Sequence, residues 1–402
     1  MVFSSERGTD PLLKIANDDE SRKRLALRIA LISPVGDIGG GERVLMALAE
    51  GLEDLGHSFR IFCLRSGTWT EGAWGRDKGI ISANQLGYRL RYPWTVLRTG
   101  RWLRKELGQF SPQIIHANHG SWWITAGAIR SMPVKSVWHL HDYPDRIDAQ
   151  TRFGLWMPPS ASIFTTKRVA SGFPSLTARK HAVISPVTLD AEDYRNLPQE
   201  TSVLAANGLR DKEYLLTVCR WQPHKGIHHW VNAVQGWSRE GDLPSNLRFV
   251  VVGNPSNDSE RQYERDCQRM IEGSNLSQRF VFVRGCNEAS LRCLYRHALA
   301  LVHPAVTEGF GLVLLEAMAF GVPIVAAAAA GPMEILEQGK YGLVADVGSS
   351  ESLTAAVRKL ATNSRLRAEM GERALERSKQ FDRAIMVEKT IALYRELLSD
   401  NP

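Results

Sequence analysis

The first apolar run of the chain restricts the fold more than any other feature. Leu25 to Ser33 is almost continuously apolar, with a single arginine. A strand that lacks the apolar–polar alternation of a half-wetted sheet belongs inside a parallel sheet covered on both faces. A glycine loop follows, Gly36-Asp37-Ile38-Gly39-Gly40-Gly41, and helical spacing runs from Glu42 to Leu55 before Gly56 ends it. Ser58–Leu64 reads as a second strand. Gln113–His116, Ser136–Leu140, Ser162–Thr165 and Ala182–Ile184 are further strand candidates, separated by helical or irregular stretches. Parallel neighbours need long crossovers, so this alternation specifies an α/β domain with a largely parallel sheet.

The pattern then restarts. Residues 190–212 are polar and loop-like. Tyr214–Val218, Arg248–Val252, Phe280–Val283, Leu299–His303 and Pro323–Ala326 supply a second set of strands. Helical spacing covers Ile227–Gln235, Ser350–Leu360, Leu366–Gln380 and an amphipathic Ile385–Leu398. The expectation is a polar leader over 1–24, a Rossmann-like domain over 25–192 and a second over 193–382. In both, sheets are doubly wound, and ligands bind beyond the carboxyl ends of such strands, so the two domains should face each other across a cleft.

The length of 402 residues suffices for two such domains. No apolar run approaches the roughly 18 residues of a spanning helix. Met1–Arg24 is polar and lacks the apolar core of a signal peptide. The five cysteines (Cys63, Cys219, Cys267, Cys286, Cys293) form no C-x-x-C pair and fit a reducing, cytoplasmic setting. Charge is uneven. Residues 1–190 hold 25 Lys+Arg against 17 Asp+Glu, and the rest hold 25 against 26. The first half therefore faces something anionic: nucleic acid, a lipid surface or a phosphorylated acceptor. Arg89, Arg91, Arg98, Arg101, Arg104 and Lys105 lie in a stretch with no acid before Glu106. A basic helix carrying Trp94 and Trp102 suits the inner face of an anionic membrane, and equally an ordinary solvated face. No nucleic-acid reader module is present.

Four groups of residues carry chemistry. The first glycine loop presents backbone N–H groups to a phosphate or sugar hydroxyl, although its G-x-x-G-G-G spacing is not the dinucleotide fingerprint. A tight packing turn is the plainer alternative. Arg220 and Lys225 follow the first strand of the second domain on a loop with Pro223 and Gly226, where a diphosphate would be neutralised. His139 and His141 share one face of a strand, with His141 at its end beside Asp142. Two histidines without a third ligand are a weak metal signal, so no metal is expected. His116 ends another strand, where a structural role is as reasonable. Finally, Glu308 and Glu316 are separated by seven residues, within Glu308-Gly309-Phe310-Gly311-Leu312-Val313-Leu314-Leu315-Glu316. A helix starting near Gly311 leaves Glu308 in the preceding loop and Glu316 more than a turn inside.

Together these residues resemble the retaining, two-domain GT-B glycosyltransferases of family 4, also called glycosyltransferase group 1. The resemblance covers about residues 27–395 and is strongest over Val281–Val344, where Gly285, Leu294-Tyr295, His303-Pro304, the glutamate pair, Gly321-Val322-Pro323, Glu334 and Gly342-Leu343-Val344 fall in order. It implies that Glu316 binds the nucleotide ribose. Glu308 and the backbone of Gly309, Phe310, Gly311 and Leu312 would hold the donor sugar, and Arg220 and Lys225 the diphosphate. Gly40 and Gly41 would lie against phosphate or sugar, Gly285 to Asn287 near the base, and His141 near the reacting centre. The last helix, about 383–402, would pack back on the first domain. The implied donor is a UDP- or GDP-type sugar, with no cofactor and no metal, and the implied acceptor a glycan, lipid-linked or small molecule in bacterial polysaccharide or glycolipid synthesis. Cys219, the glycine-free Pro186–Asp190 and the alanine-rich 326–330 depart from the family pattern without removing a charged group. A nucleotide-sugar epimerase on this fold and an inactive sugar-nucleotide-binding homologue are the alternatives.

Overall fold

The computed structural model describes residues 26–83, 93–144 and 149–400. The polar leader, Arg89 and Arg91 lie outside those residues. The first seven strands are β1 (Arg28–Ser33), β2 (Ser58–Cys63), β3 (Ile81–Ser82), β4 (Ile114–Asn118), β5 (Lys135–Leu140), β6 (Ala161–Phe164) and β7 (His181–Val183). They form one sheet in the order β3-β2-β1-β4-β5-β6-β7, with every pair parallel. The second sheet holds β8 (Glu213–Val218), β9 (Leu247–Val252), β10 (Phe280–Val283), β11 (Ala300–His303), β12 (Ile324–Ala327) and β13 (Leu343–Ala345). Its order is β10-β9-β8-β11-β12-β13, again parallel throughout.

In each sheet the strand order reverses next to the first strand, between β1 and β4 and between β8 and β11. Crossovers leave those two positions in opposite directions, so a crevice opens at the carboxyl ends of the strands. The loops that leave β1, β4, β8 and β11 open into that crevice, joined by those after β5, β6 and β12. The helices that position them are α1 (Gly40–Asp54), α2 (Pro93–Phe110), α3 (Ile227–Arg239), α4 (Glu288–His297), α5 (Leu312–Ala319) and α6 (Arg383–Ser399).

The strands expected from apolar runs are all present, with bounds within two residues except at β1, which starts at Arg28 and not at Leu25. Two more occur. β3 spans two residues and β13 three, too short to leave a pattern, so the second sheet ends at β13 and not at Pro323–Ala326. Helix α1 starts at Gly40 and not at Glu42, with Gly39 as its N-cap. The Glu42 carboxylate folds back on the Gly39 N–H and its own N–H, where an acid in the first turn is favoured. Gly40 and Gly41 are thus helical, not loop, residues. Gly36 serves packing, since a Cβ there would lie 2.2 Å from the Gly67 nitrogen.

Helix α6 returns to the first sheet. Its buried Met386, Val387, Ile391, Leu393, Tyr394 and Leu397 join the apolar layer that contains α1. Arg383 pairs with Glu50 at 3.1 Å, and Lys180 with Glu396 at 2.8 Å. At the closest approach Gly51 faces Val387, and a Cβ on Gly51 would sit 2.4 Å from a valine methyl. Gly51→Leu is expected to cost about 1–3 kcal/mol through overpacking. A lowered thermal midpoint checks this, and an unchanged one would mean that α6 tolerates displacement from α1.

Candidate active site

The cleft has three lobes that meet at Asp142 and Arg220, both of which line all three. One lobe, about 650 Å³, lies against the first sheet and includes Glu42, Asn118, His119, Trp123 and Tyr143. A second, about 1180 Å³, includes Lys167, Arg168, His224, Thr307 and Glu334. The third, about 610 Å³, runs between the sheets past Gly39, Gly41, Arg43, Val252, Cys286 and Leu312.

Glu308 lines the second and third lobes. Lys225 donates to its Oε2 at 2.8 Å, and His303 Nε2 approaches the same oxygen at 3.1 Å. Burial pushes the Glu308 carboxyl upward, but the Lys225 charge and the His303 hydrogen bond outweigh it and hold the group well below the ordinary range. Lys225 reaches this position because Gly226 takes φ +71. The turn lets the loop tuck under Pro304, whose carbonyl oxygen would lie 2.0 Å from any Cβ on Gly226. Arg220 is exposed at the mouth of all three lobes and forms no ion pair among the described residues. Its guanidinium is open to an anion.

Glycines set the approach of the two halves. Gly309 touches the end of β5, where a Cβ would lie 2.2 Å from the His141 carbonyl oxygen. Gly311, at φ +107, caps α5, and Phe310 packs buried against Phe381. Gly41 lies against Asn118 and His141, and Gly40 against Leu312 across the cleft. The N–H of Lys167 donates to Glu334 Oε2 at 3.0 Å, a further bond between the halves.

Glu316 is 0 % exposed. Arg43 donates to its Oε1 at 2.8 Å, and the Tyr295 hydroxyl to its Oε2 at 2.8 Å. Gly285 and Asn287 do not line the lobes. The Gly285 N–H binds Asn254 Oδ1, and Asn287 caps α4 while donating to Glu200. Their neighbours Cys286 and Glu288 line the third lobe instead.

His141 donates from Nε2 to Asn118 Oδ1, whose amide donates in turn to the Gly41 carbonyl. Its ring stacks on His139 at 4.3 Å. Among the described residues no group of three or more His, Cys, Asp or Glu side chains is placed to hold a metal ion. His139 Nδ1 meets His116 Nε2 at 3.2 Å, and His116 Nδ1 meets the Tyr394 hydroxyl at 2.6 Å. His139 Nε2 is buried and has no hydrogen-bond partner among the described residues. Burial pushes His116 and His141 down to about 3, and His139 well below its ordinary value, with neighbouring histidines adding to the latter two.

Arg43 and Asn118 had no place among the sequence expectations, and Tyr295 and His303 stood there as marks of the resemblance without a role. Nothing in the periodicity marks Arg43, whose partners lie 245 and 273 residues away. His303 carried a weak signal as the last residue of an apolar strand.

Helix α2 buries Leu103 and Leu107 and leaves Arg98, Arg101, Arg104 and Lys105 exposed, with Trp94 76 % exposed at its start. Among the described residues no helix is long and apolar enough to cross a membrane.

The buried His116 and His139 and the half-buried His141, all held neutral, have a consequence for acid stability. Each has a depressed folded pKa, so its contribution is present above the unfolded value near 6.5 and is lost as pH falls towards 3. The loss is about 1.4 kcal/mol per pH unit for each group below about pH 6. Urea midpoints should fall steeply between pH 7 and 5, and His116→Asn should flatten that slope. Equal slopes in both proteins would exclude His116 as a cause.

Residues 38–207 match the family model described as Glycosyltransferase Family 4, and residues 202–377 the model described as Glycosyl transferases group 1. A D-inositol 3-phosphate glycosyltransferase of Corynebacterium glutamicum is 31 % identical over 186 residues, 46 % of this chain and 43 % of that protein. A GDP-mannose-dependent alpha-(1-6)-phosphatidylinositol monomannoside mannosyltransferase of Mycolicibacterium smegmatis is 29 % identical over 218 residues, 52 % of this chain and 54 % of that protein. The chain thus spans about half the length of the curated relatives it matches. Among solved structures, Anabaena HepE in complex with UDP and glucose aligns with a TM-score of 0.76 at 20 % identity, covering 92 % of this chain and 100 % of that one. Sucrose-phosphate synthase of Thermosynechococcus elongatus aligns with a TM-score of 0.79 at 19 % identity, covering 93 % and 100 %. At these identities the two structures establish a common fold.

Proposed function

Because the chain belongs to the group 1 and family 4 glycosyltransferases and has their GT-B fold, we propose that it transfers a hexose from a nucleoside-diphosphate sugar, with retention of configuration. The donor is of the UDP or GDP type, and the acceptor is a glycan, lipid-linked or small molecule in bacterial polysaccharide or glycolipid synthesis. The observation that carries this reading is the Lys225–Glu308–His303 cluster in the third lobe beside Arg220, which forms no ion pair among the described residues. Relatives named for GDP-mannose and solved structures named for UDP-glucose support the donor class.

The domains divide as the two sheets do. Residues 25–192, with α6, form the acceptor half, and residues 193–382 the donor half. The nucleotide occupies the third lobe, with its diphosphate at Arg220 and Lys225. Glu308 fixes Lys225 and, with the Gly309–Leu312 backbone, receives sugar hydroxyls. Glu316 is the seat of the ribose. Gly40 and Gly41 lie against the phosphate or the sugar. The acceptor hydroxyl attacks the anomeric carbon from the leaving-group side. The bond to the phosphate oxygen breaks, a bond to the acceptor oxygen forms, and the proton passes to the departing phosphate. Fixed cations stabilise that phosphate in a site with little water. His141 remains neutral and serves as a hydrogen-bonding wall for the sugar.

Incubation with a panel of isotopically labelled UDP- and GDP-sugars and acceptors tests the proposal. Lys225→Ala is expected to lower kcat by about 100-fold or more. Glu316→Ala should abolish transfer, and a chelator should leave the wild-type rate unchanged. Undiminished turnover in both variants would remove the site assignment.

The exposed cations of α2, with Trp94, fit the inner face of an anionic membrane. Sedimentation with phosphatidylglycerol vesicles should exceed that with phosphatidylcholine vesicles. It should fall when Arg98, Arg101 and Lys105 are changed to Glu. Equal sedimentation of both proteins would exclude α2 as the contact.

A further inference from the structure

Glu316 sits in an apolar helix, α5, among Leu314, Leu315, Ala317 and Met318, all buried. A carboxylate so enclosed is costly unless a cation and hydrogen bonds meet it. Among the described residues, its own half of the molecule supplies only the Tyr295 hydroxyl. The cation comes from the other half. Arg43, in the first turns of α1, reaches across the third lobe and binds Glu316 Oε1 through Nη1.

The guanidinium is itself held. Nη2 donates to Glu288 Oε1 at 3.2 Å, at the start of α4. One fork thus spans two carboxylates from two helices of the opposite half, which a lysine ammonium on a flexible stem does not reproduce. The fields of Glu316 and Glu288 raise the Arg43 pKa further above its ordinary value, against the effect of burial. The Tyr194 hydroxyl lies within the influence of the same three charges and, among the described residues, has no hydrogen-bond partner. Arg43 lines the third lobe with Gly41 and Leu312, so the fork is part of the nucleotide wall.

We propose that Arg43 is a positioning residue that completes the ribose seat from the opposite domain: its fork orients the Glu316 carboxylate, so the donor is gripped fully only when the two halves are together. This rests on Glu316 being the ribose seat. Binding of the nucleotide and closure of the cleft are then one event. The open molecule, with Arg43 withdrawn, has a misdirected carboxylate.

The test compares UDP with 2′,3′-dideoxy-UDP, or the GDP pair if guanine is preferred, by calorimetry on wild type, Arg43→Met and Arg43→Lys. Wild type is expected to favour the ribose form by about tenfold or more, the worth of a hydrogen bond to a charged group. In Arg43→Met that ratio should collapse to within about twofold, with Arg43→Lys between the two. A merely structural role would weaken both ligands alike and leave the ratio intact, which would overturn the proposal. If Arg43→Met does not fold, the Arg43→Lys ratio decides: full discrimination there overturns the proposal and partial discrimination supports it. A wild type that does not discriminate refutes Glu316 as the ribose seat, and a Glu316→Gln variant with wild-type affinity confirms that separate failure.

Discussion

A carboxylate with little water around it must be kept charged by its neighbours, and Glu308 is in that position. Its Oε2 is shared by Lys225, from the loop after β8, and by His303, the last residue of β11. Those two strands are adjacent in the sheet. The pairing therefore ties together the two loops that leave the point where the strand order reverses. Gly226 and Gly309 exist in service of this contact. One lets the cation loop fold under Pro304, and the other lets the glutamate loop approach the opposite sheet. With Glu308 satisfied by Lys225, Arg220 is the guanidinium left open for an incoming anion. The division of labour between two neighbouring cations follows from where one carboxylate sits.

The first half answers with neutral groups. His141, Asn118 and the glycines of α1 form a wall with no net charge, behind which His139, His116 and Tyr394 run to the C-terminal helix. A wall of this kind presents hydrogen-bonding edges without competing for the cations opposite. It also makes the far helix part of the environment of the site, since Tyr394 is the outer end of the same array.

The fold was legible wherever buried strands leave continuous apolar runs, as in Leu25–Ser33 and Arg248–Val252. It was not legible at β3 and β13, which are two and three residues long and lie on sheet edges. Within the site, charged residues close in sequence to glycines or strand ends were visible: Arg220, Lys225, Glu308, Glu316. Arg43 was not, because its significance lies in partners more than 240 residues away and a helix surface arginine is ordinary by itself. Gly285 and Asn287 carried the expectation of a base contact. They flank residues that face the cleft, but their own groups are spent on a turn and a helix cap.

The return of α6 to the first sheet means that the chain passes between the halves twice, once after β7 and once before Arg383. A single tether permits swivelling in every direction. A second tether bars relative orientations that a single one would allow, and so favours the one in which Gly309 meets the His141 carbonyl.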